Sequence, residues 1–168
     1  MIKLNLGSNK WRFDGWINID ADPVVEPNIV EDCVNLPNFS ANVADEIYAG
    51  HFLEHLTNDE GKIALKKWKE ILKPGGLLHV VVPDIRKGLF LYEKDLCDFG
   101  LVEAIALGNY EEREMQAHKQ LFTKEKLLIE LTCAGYSNIF PINFDDPELP
   151  IVAKVAWQTG FTCQRPTR

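Results

Sequence analysis

Apolar residues nowhere run for the ~20 positions that a membrane helix needs, so no membrane partner is expected. The opening MIKLNLGS lacks the apolar core of an export signal and reads at once as structure. No C-x-x-C pair occurs: Cys33, Cys97, Cys133 and Cys163 lie far apart, which reads as reduced, mostly buried thiols in a cytoplasmic protein. Basic charge is also short. The net charge of −7 opposes nonspecific binding to nucleic acid, so no such partner is expected. The densest basic group, Lys62, Lys66, Lys67 and Lys69, reads as the solvated face of a helix. Repeats, low-complexity tracts and interdomain linkers are absent too. The 168 residues therefore suggest a single domain with a sizeable core.

What is present is an ordered series of strands and helices. Ile2 to Leu6 alternates apolar and polar and stops at Gly7. Trp16 to Ile19, Asn28 to Glu31 and Asp45 to Ala49 read as three more short strands, ending at Asp20, Asp32 and Gly50. Glu60 to Leu72 has apolar residues at helical spacing, with Pro74-Gly75-Gly76 turning the chain after it. Leu77 to Val82 suits a central strand buried on both faces, with His79 as a core histidine. Residues 85–120 predict one or two helices. Thr123 caps a helix over Lys124 to Ala134, and Ser137 to Phe144 and Ile151 to Trp157 read as a closing pair of strands. The order implies an α/β fold, an open and mostly parallel twisted sheet of about seven strands. Such sheets bind ligands at their strands' carboxyl ends, where Gly7, Asp20, Asp32 and His51 are expected.

GHFLEHL, Gly50 to Leu56, raises a separate possibility. His51, Glu54 and His55 spell H-x-x-E-H, and on a helix these positions share one face. The spelling is also that of one class of zinc peptidases. A zinc hydrolase would need a third protein ligand from elsewhere; Glu130 is one by residue type, but its amphipathic helix gives it a solvated role. No metal is therefore expected.

Taken in order, LNLGSN, the acid closing WINID, EDCVNLP, DEIYAGHFLEHL, LKPGGLLHVVVPD and HKQLFTKEKLLIELTCAGY resemble class I S-adenosylmethionine-dependent methyltransferases, in a short, truncated branch. The resemblance covers nearly the whole chain. It implies a Rossmann-like sheet, S-adenosylmethionine as cofactor, and methyl transfer to a small-molecule acceptor of the sugar- or phosphate-bearing kind. By position it implies that Leu6, Gly7 and Ser8 form the cofactor loop and that Asp20 accepts hydrogen bonds from the ribose. It places Asp32 and Cys33 beside the adenine, and Gly50 and His51 beside the methyl group. His51, and secondly His118, are the candidate catalytic bases. Residues 85–120 would form a substrate cap within the domain spanning 1–168.

The chain also departs from the family pattern. The loop reads Gly7-Ser8-Asn9 where a second glycine is usual, and only about ten residues join the first two strands, too few for a helical crossover. These departures keep open a catalytically degenerate binding protein. The reduced first crossovers would leave apolar residues of the sheet thinly covered, from which a homodimer is expected.

Overall fold

The computed structural model describes residues 1–108, 117–146, 149 and 155–167. Seven strands form one sheet: β1 Lys3–Leu6, β2 Ile17–Asp20, β3 Ile29–Val30, β4 Ala44–Gly50, β5 Leu72–Pro83, β6 Ser137–Pro141 and β7 Gln158–Gln164, in the order β3-β2-β1-β4-β5-β7-β6. β7 runs antiparallel to both neighbours and the remaining pairs are parallel. The helices are α1 Asn58–Ile71, α2 Ile85–Glu93, α3 Phe99–Leu107 and α4 Lys124–Cys133. The open α/β sheet expected from the sequence is thus present.

β1 and β2 pair in parallel although no helix joins them. Side-chain amides take the helix's place in holding the connection. Asn18 Oδ1 accepts from Asn5 Nδ2 at 2.9 Å and from the backbone N–H of Phe13 at 3.0 Å. Asn5 Nδ2 also donates to the Trp11 carbonyl at 2.9 Å, and Asn28 Oδ1 accepts from the Asn18 backbone at 2.8 Å. Asn5 and Asn18 are buried, so these bonds satisfy groups that water cannot reach. The second connection carries only a 3₁₀ turn, Pro23–Val25.

α1 begins earlier than its apolar pattern suggested, because Thr57 and Glu60 form a reciprocal capping box. It buries Gly61, Ala64, Leu65, Trp68 and Ile71, and leaves Ile63 exposed. Pro74-Gly75-Gly76 does not separate helix from strand. Leu72 already pairs with Ala44, and the register shift before the Glu46–Leu77 pair absorbs the intervening residues as a bulge.

The closing strands correct the sequence reading. The first ends at Pro141, and the second lies at Gln158–Gln164. Of the strand expected over Ile151 to Trp157, residues 151–154 lie outside the described residues, and Val155 to Trp157 lead into β7. The apolar run drew the expectation, but β7 is buried by its place between β5 and β6 rather than by its composition. The cysteines are free, yet only Cys33 and Cys163 are buried, and Cys133 is exposed. Burial pushes the thiols of Cys33 and Cys163 up to about 12.

Most of the core lies on one side of the sheet, around Leu4, Leu6, Ile19, Ile47, Trp68 and Leu78. Opposite, Tyr48, Val81 and Ile142 pack with Phe13, Trp16, Phe144 and Leu149. Of the strand residues from which a dimer was expected, Leu4, Leu6 and Ile19 are buried in the larger cluster with Ile17 packed against it, and Trp16 packs in the smaller one. No helix among the described residues is long and apolar enough to cross a membrane.

His79 sits in β5, 5% exposed, with Nδ1 2.9 Å from Thr162 Oγ1. Burial, opposed by the nearby Glu46 carboxylate, lowers its pKa from 6.5 to about 4. The unfolded chain thus binds this proton at higher pH than the folded chain. Stability from His79 is complete above 6.5 and is lost as pH falls towards about 4. The loss is on the order of 3 kcal/mol. Urea unfolding between pH 7 and 4.5 should show it, and His79→Gln should flatten that slope; an equal slope in the variant would assign the loss to other groups.

Candidate functional site

A crevice of about 650 Å³ opens at the carboxyl ends of the parallel strands. That volume suits a small molecule. Gly7 follows β1, Asp20 closes β2, Asp32 and Cys33 follow β3, Gly50 closes β4 and His51 follows it; all line it. Leu101, Ala104 and Ile105 of α3 line it from another direction, together with His118. Leu6 and Ser8 are not among its lining residues. Leu6 packs in the core, and the Ser8 side chain is buried without a hydrogen-bond partner among the described residues.

The first loop is built around Gly7, whose φ of 62° places it in the left-handed region. A Cβ there would stand 2.4 Å from the Phe52 ring, so glycine is needed for space as well as conformation. Asn9, where a second glycine is usual, has φ 44°, a conformation asparagine tolerates better than most residues. Its N–H donates to Asp20 Oδ2 at 2.8 Å, and Asp22 N–H donates to Oδ1 at 2.9 Å. Two backbone donors thus fix the Asp20 carboxylate at the rim and leave acceptor capacity for a diol. Asp32 is tied down similarly, by Val34 N–H at 2.9 Å and Asn35 Nδ2 at 2.7 Å. Cys33 Sγ lies 3.4 Å from the Gly7 N–H that donates to it, and the Cys33 carbonyl accepts from Trp68 Nε1 at 2.8 Å.

The H-x-x-E-H residues do not share a helix. His51 follows β4 with φ 53°, a strained value for histidine, and Leu53–His55 form a single 3₁₀ turn. α1 starts only at Asn58. His51 Nε2 lies 3.0 Å from Gln158 Oε1, and its Nδ1 lies 3.3 Å from Glu54 Oε1. The latter distance is within ion-pair reach but lacks hydrogen-bond alignment. Burial alone would lower the His51 pKa, but the Glu54 carboxylate outweighs it and the net direction is upward.

His118 is also brought here. Lys119 N–H donates to the Glu54 carbonyl at 2.8 Å, and Gln120 Nε2 donates to the Leu53 carbonyl at 3.0 Å. His118 then faces His55 with ring centroids 4.9 Å apart. Burial pushes its pKa down. The sequence singled out Glu54 only as a possible zinc ligand, and nothing in it signalled that His118 would join His55. Trp11, Phe52 and Trp157 also line the crevice and were not predicted there.

A family model described as a methyltransferase domain matches residues 16–80. No curated protein matches the sequence. Several solved structures share the fold. A SAM-dependent methyltransferase from Archaeoglobus fulgidus is 16% identical, aligns over 96% of this chain and 85% of its own, and gives a TM-score of 0.68. A Methanosarcina mazei SAM-dependent methyltransferase is 18% identical over 99% of this chain and 92% of its own, with a TM-score of 0.66. The Burkholderia thailandensis 1,6-didemethyltoxoflavin-N1-methyltransferase, which has bound 1,6-didemethyltoxoflavin and S-adenosylhomocysteine, is 13% identical over 98% of this chain and 71% of its own, with a TM-score of 0.60. Residues 16–80 thus match a methyltransferase domain, and the fold is that of solved SAM-dependent methyltransferases.

Proposed function

We propose that the crevice binds S-adenosylmethionine along the ends of β1 to β4 and that the chain transfers its methyl group to a small acceptor held under α3. The observation that carries this reading is the division of one crevice. Gly7, Asp20, Asp32 and Cys33 line one part of it, and His51, His118 and α3 line another. When bound, S-adenosylmethionine supplies a methyl group on a positively charged sulfur, already activated for displacement. Asp20 would accept from the ribose hydroxyls, and the backbone at Gly7 and Gly50 leaves room for close approach. Asp32 and Cys33 would border the adenine.

The protein's main contribution is to hold the acceptor in line, an effect worth up to ~7–11 kcal/mol. His51 is the first candidate for the base that takes the acceptor's proton, and His118 the second. The charge of Glu54 favours a proton on His51 Nδ1, which leaves Nε2 to accept. Once the acceptor's proton is on Nε2, Gln158 Oε1 at 3.0 Å can accept from it. Residues 85–120 act as the acceptor's cap through α3; of these, 109–116 lie outside the described residues. The acceptor is read as a small molecule; Arg86 and Lys87 of α2, from which a sugar or phosphate group was expected, are engaged elsewhere, Arg86 with Glu125 at 3.3 Å and Lys87 with the Gln158 carbonyl at 2.6 Å. Free cysteines fit a cytoplasmic setting. The left-handed Asn9 weakens the case for a degenerate binding protein, because the loop keeps its turn without the second glycine.

Asp20→Ala should weaken S-adenosylhomocysteine binding by about 1.5–3 kcal/mol, the scale of hydrogen bonds to a charged group. Calorimetry on wild type and variant measures it; equal affinities would remove Asp20 from the ribose. A homodimer would now have a different surface to bury: Leu89, Phe90, Leu96 and Phe99 on and between α2 and α3 are exposed. Light scattering at micromolar concentration should give about twice 19.1 kDa, and the single-chain mass would reject the dimer.

A further inference from the structure

Beside the part of the crevice assigned to the acceptor, Glu54, His55 and His118 form a cluster whose grouping the proton transfer described above does not explain. Glu54 is 1% exposed, and both of its carboxylate oxygens lack a hydrogen-bond partner among the described residues. His51 Nδ1 stands 3.3 Å from Oε1 without hydrogen-bond alignment, and the other oxygen has no such neighbour, so the buried carboxylate is costly unless a further cation balances it. Glu54, His55 and His118 each offer one ligand atom, and these atoms all lie within 4.8 Å of one another. Donors on a sphere of ~2.1 Å radius stand at most about 4.2 Å apart, so small side-chain rotations would close the set around one ion.

The histidines are oriented as metal ligands are. His118 Nδ1 lies 2.8 Å from the Ile105 carbonyl, and His55 Nδ1 lies 3.2 Å from the Ala117 carbonyl. A carbonyl only accepts, so each Nδ1 carries the proton and each Nε2 keeps its lone pair. Backbone carbonyls fixing the far nitrogen of a ligating histidine are a recurrent feature of metal centres.

We propose that Glu54, His55 and His118 form a site for one divalent transition-metal ion, open on the crevice. Two imidazoles and one carboxylate suit zinc-class ions better than magnesium or calcium, which prefer oxygen alone. The set differs from the one the H-x-x-E-H spelling suggested. His118 supplies the missing third ligand, and His51 stands outside, beside Glu54. Three protein ligands leave a coordination position that the crevice can fill, the pattern of catalytic rather than structural sites. The class of occupant is an acceptor that presents an oxygen, which the ion would hold and whose acidity it would raise. This last step rests on the proposed methyl transfer; the ion site does not.

The test uses the full untagged chain, stripped with a chelator and titrated with Co²⁺. The expected result is one equivalent bound, with visible absorption showing nitrogen and oxygen ligation. Glu54→Gln and His118→Gln should each weaken it at least ~10–100-fold, and His79→Gln should leave it unchanged. Circular dichroism confirms that the variants are folded; should one not fold, the wild-type stoichiometry and spectrum decide. No binding at ~100 µM Co²⁺, or equal binding by the folded variants, overturns the site. S-adenosylhomocysteine calorimetry on the same sample separates the two readings. Co²⁺ bound without S-adenosylhomocysteine sinks the cofactor reading alone, and the reverse sinks the ion site alone.

Discussion

His51→Ala should lower turnover on the true acceptor by about 10²–10⁴-fold, the usual contribution of a positioned base. Affinity for S-adenosylhomocysteine should stay within about threefold, because a group acting on the acceptor is not used to bind the cofactor. Position supports this split. His51 follows β4, whereas the residues assigned to the adenosine lie at the ends of β1, β2 and β3. Its strained φ of 53° is held by a backbone bond to the Val81 carbonyl at 2.8 Å. Its ring packs edge-on to Trp157 with centroids 5.6 Å apart. A wild-type rate in the variant would leave His51 with a structural role only.

Trp68→Ala should destabilise the fold by about 3–5 kcal/mol, the range for truncating a buried Trp. Trp68 is fully buried on α1 and packs near Phe52, centroids 5.9 Å apart. Phe52 in turn fills the space that Gly7 leaves. The indole N–H also holds the Cys33 carbonyl. One side chain therefore links helix packing to two rims of the crevice. Trp68→Phe keeps most of the apolar contact but leaves that carbonyl without its donor, so about 1–3 kcal/mol is expected. Urea denaturation measures both, and a loss below about 1 kcal/mol for the alanine variant would contradict the packing argument.

Strand alternation made much of this architecture legible in advance. Leu4 and Leu6 gave β1, Ile17 and Ile19 gave β2, and the acids and glycine after each strand marked the crevice. Long-range geometry was not legible. The histidine of H-x-x-E-H that was expected to share a helix with its partners instead follows a strand in a left-handed conformation, which spacing cannot reveal. His118 is brought to Glu54 and His55 by the bonds that Lys119 and Gln120 make to the Glu54 and Leu53 carbonyls, 65 and 67 positions away in sequence. The short β1–β2 connection looked like a defect by length alone. Asn5, Asn18 and Asn28 compensate for it, and their role shows only once the strands are paired. β7 escaped because QTGFTCQ lacks an apolar run and is buried by its neighbours.

The most direct measurement is a crystal structure of the chain with S-adenosylhomocysteine bound. The ribose hydroxyls should meet Asp20, the adenine should lie beside Asp32 and Cys33, and the sulfur should point towards His51. A ligand bound elsewhere, or a crevice that stays empty at saturating concentration, would contradict the account.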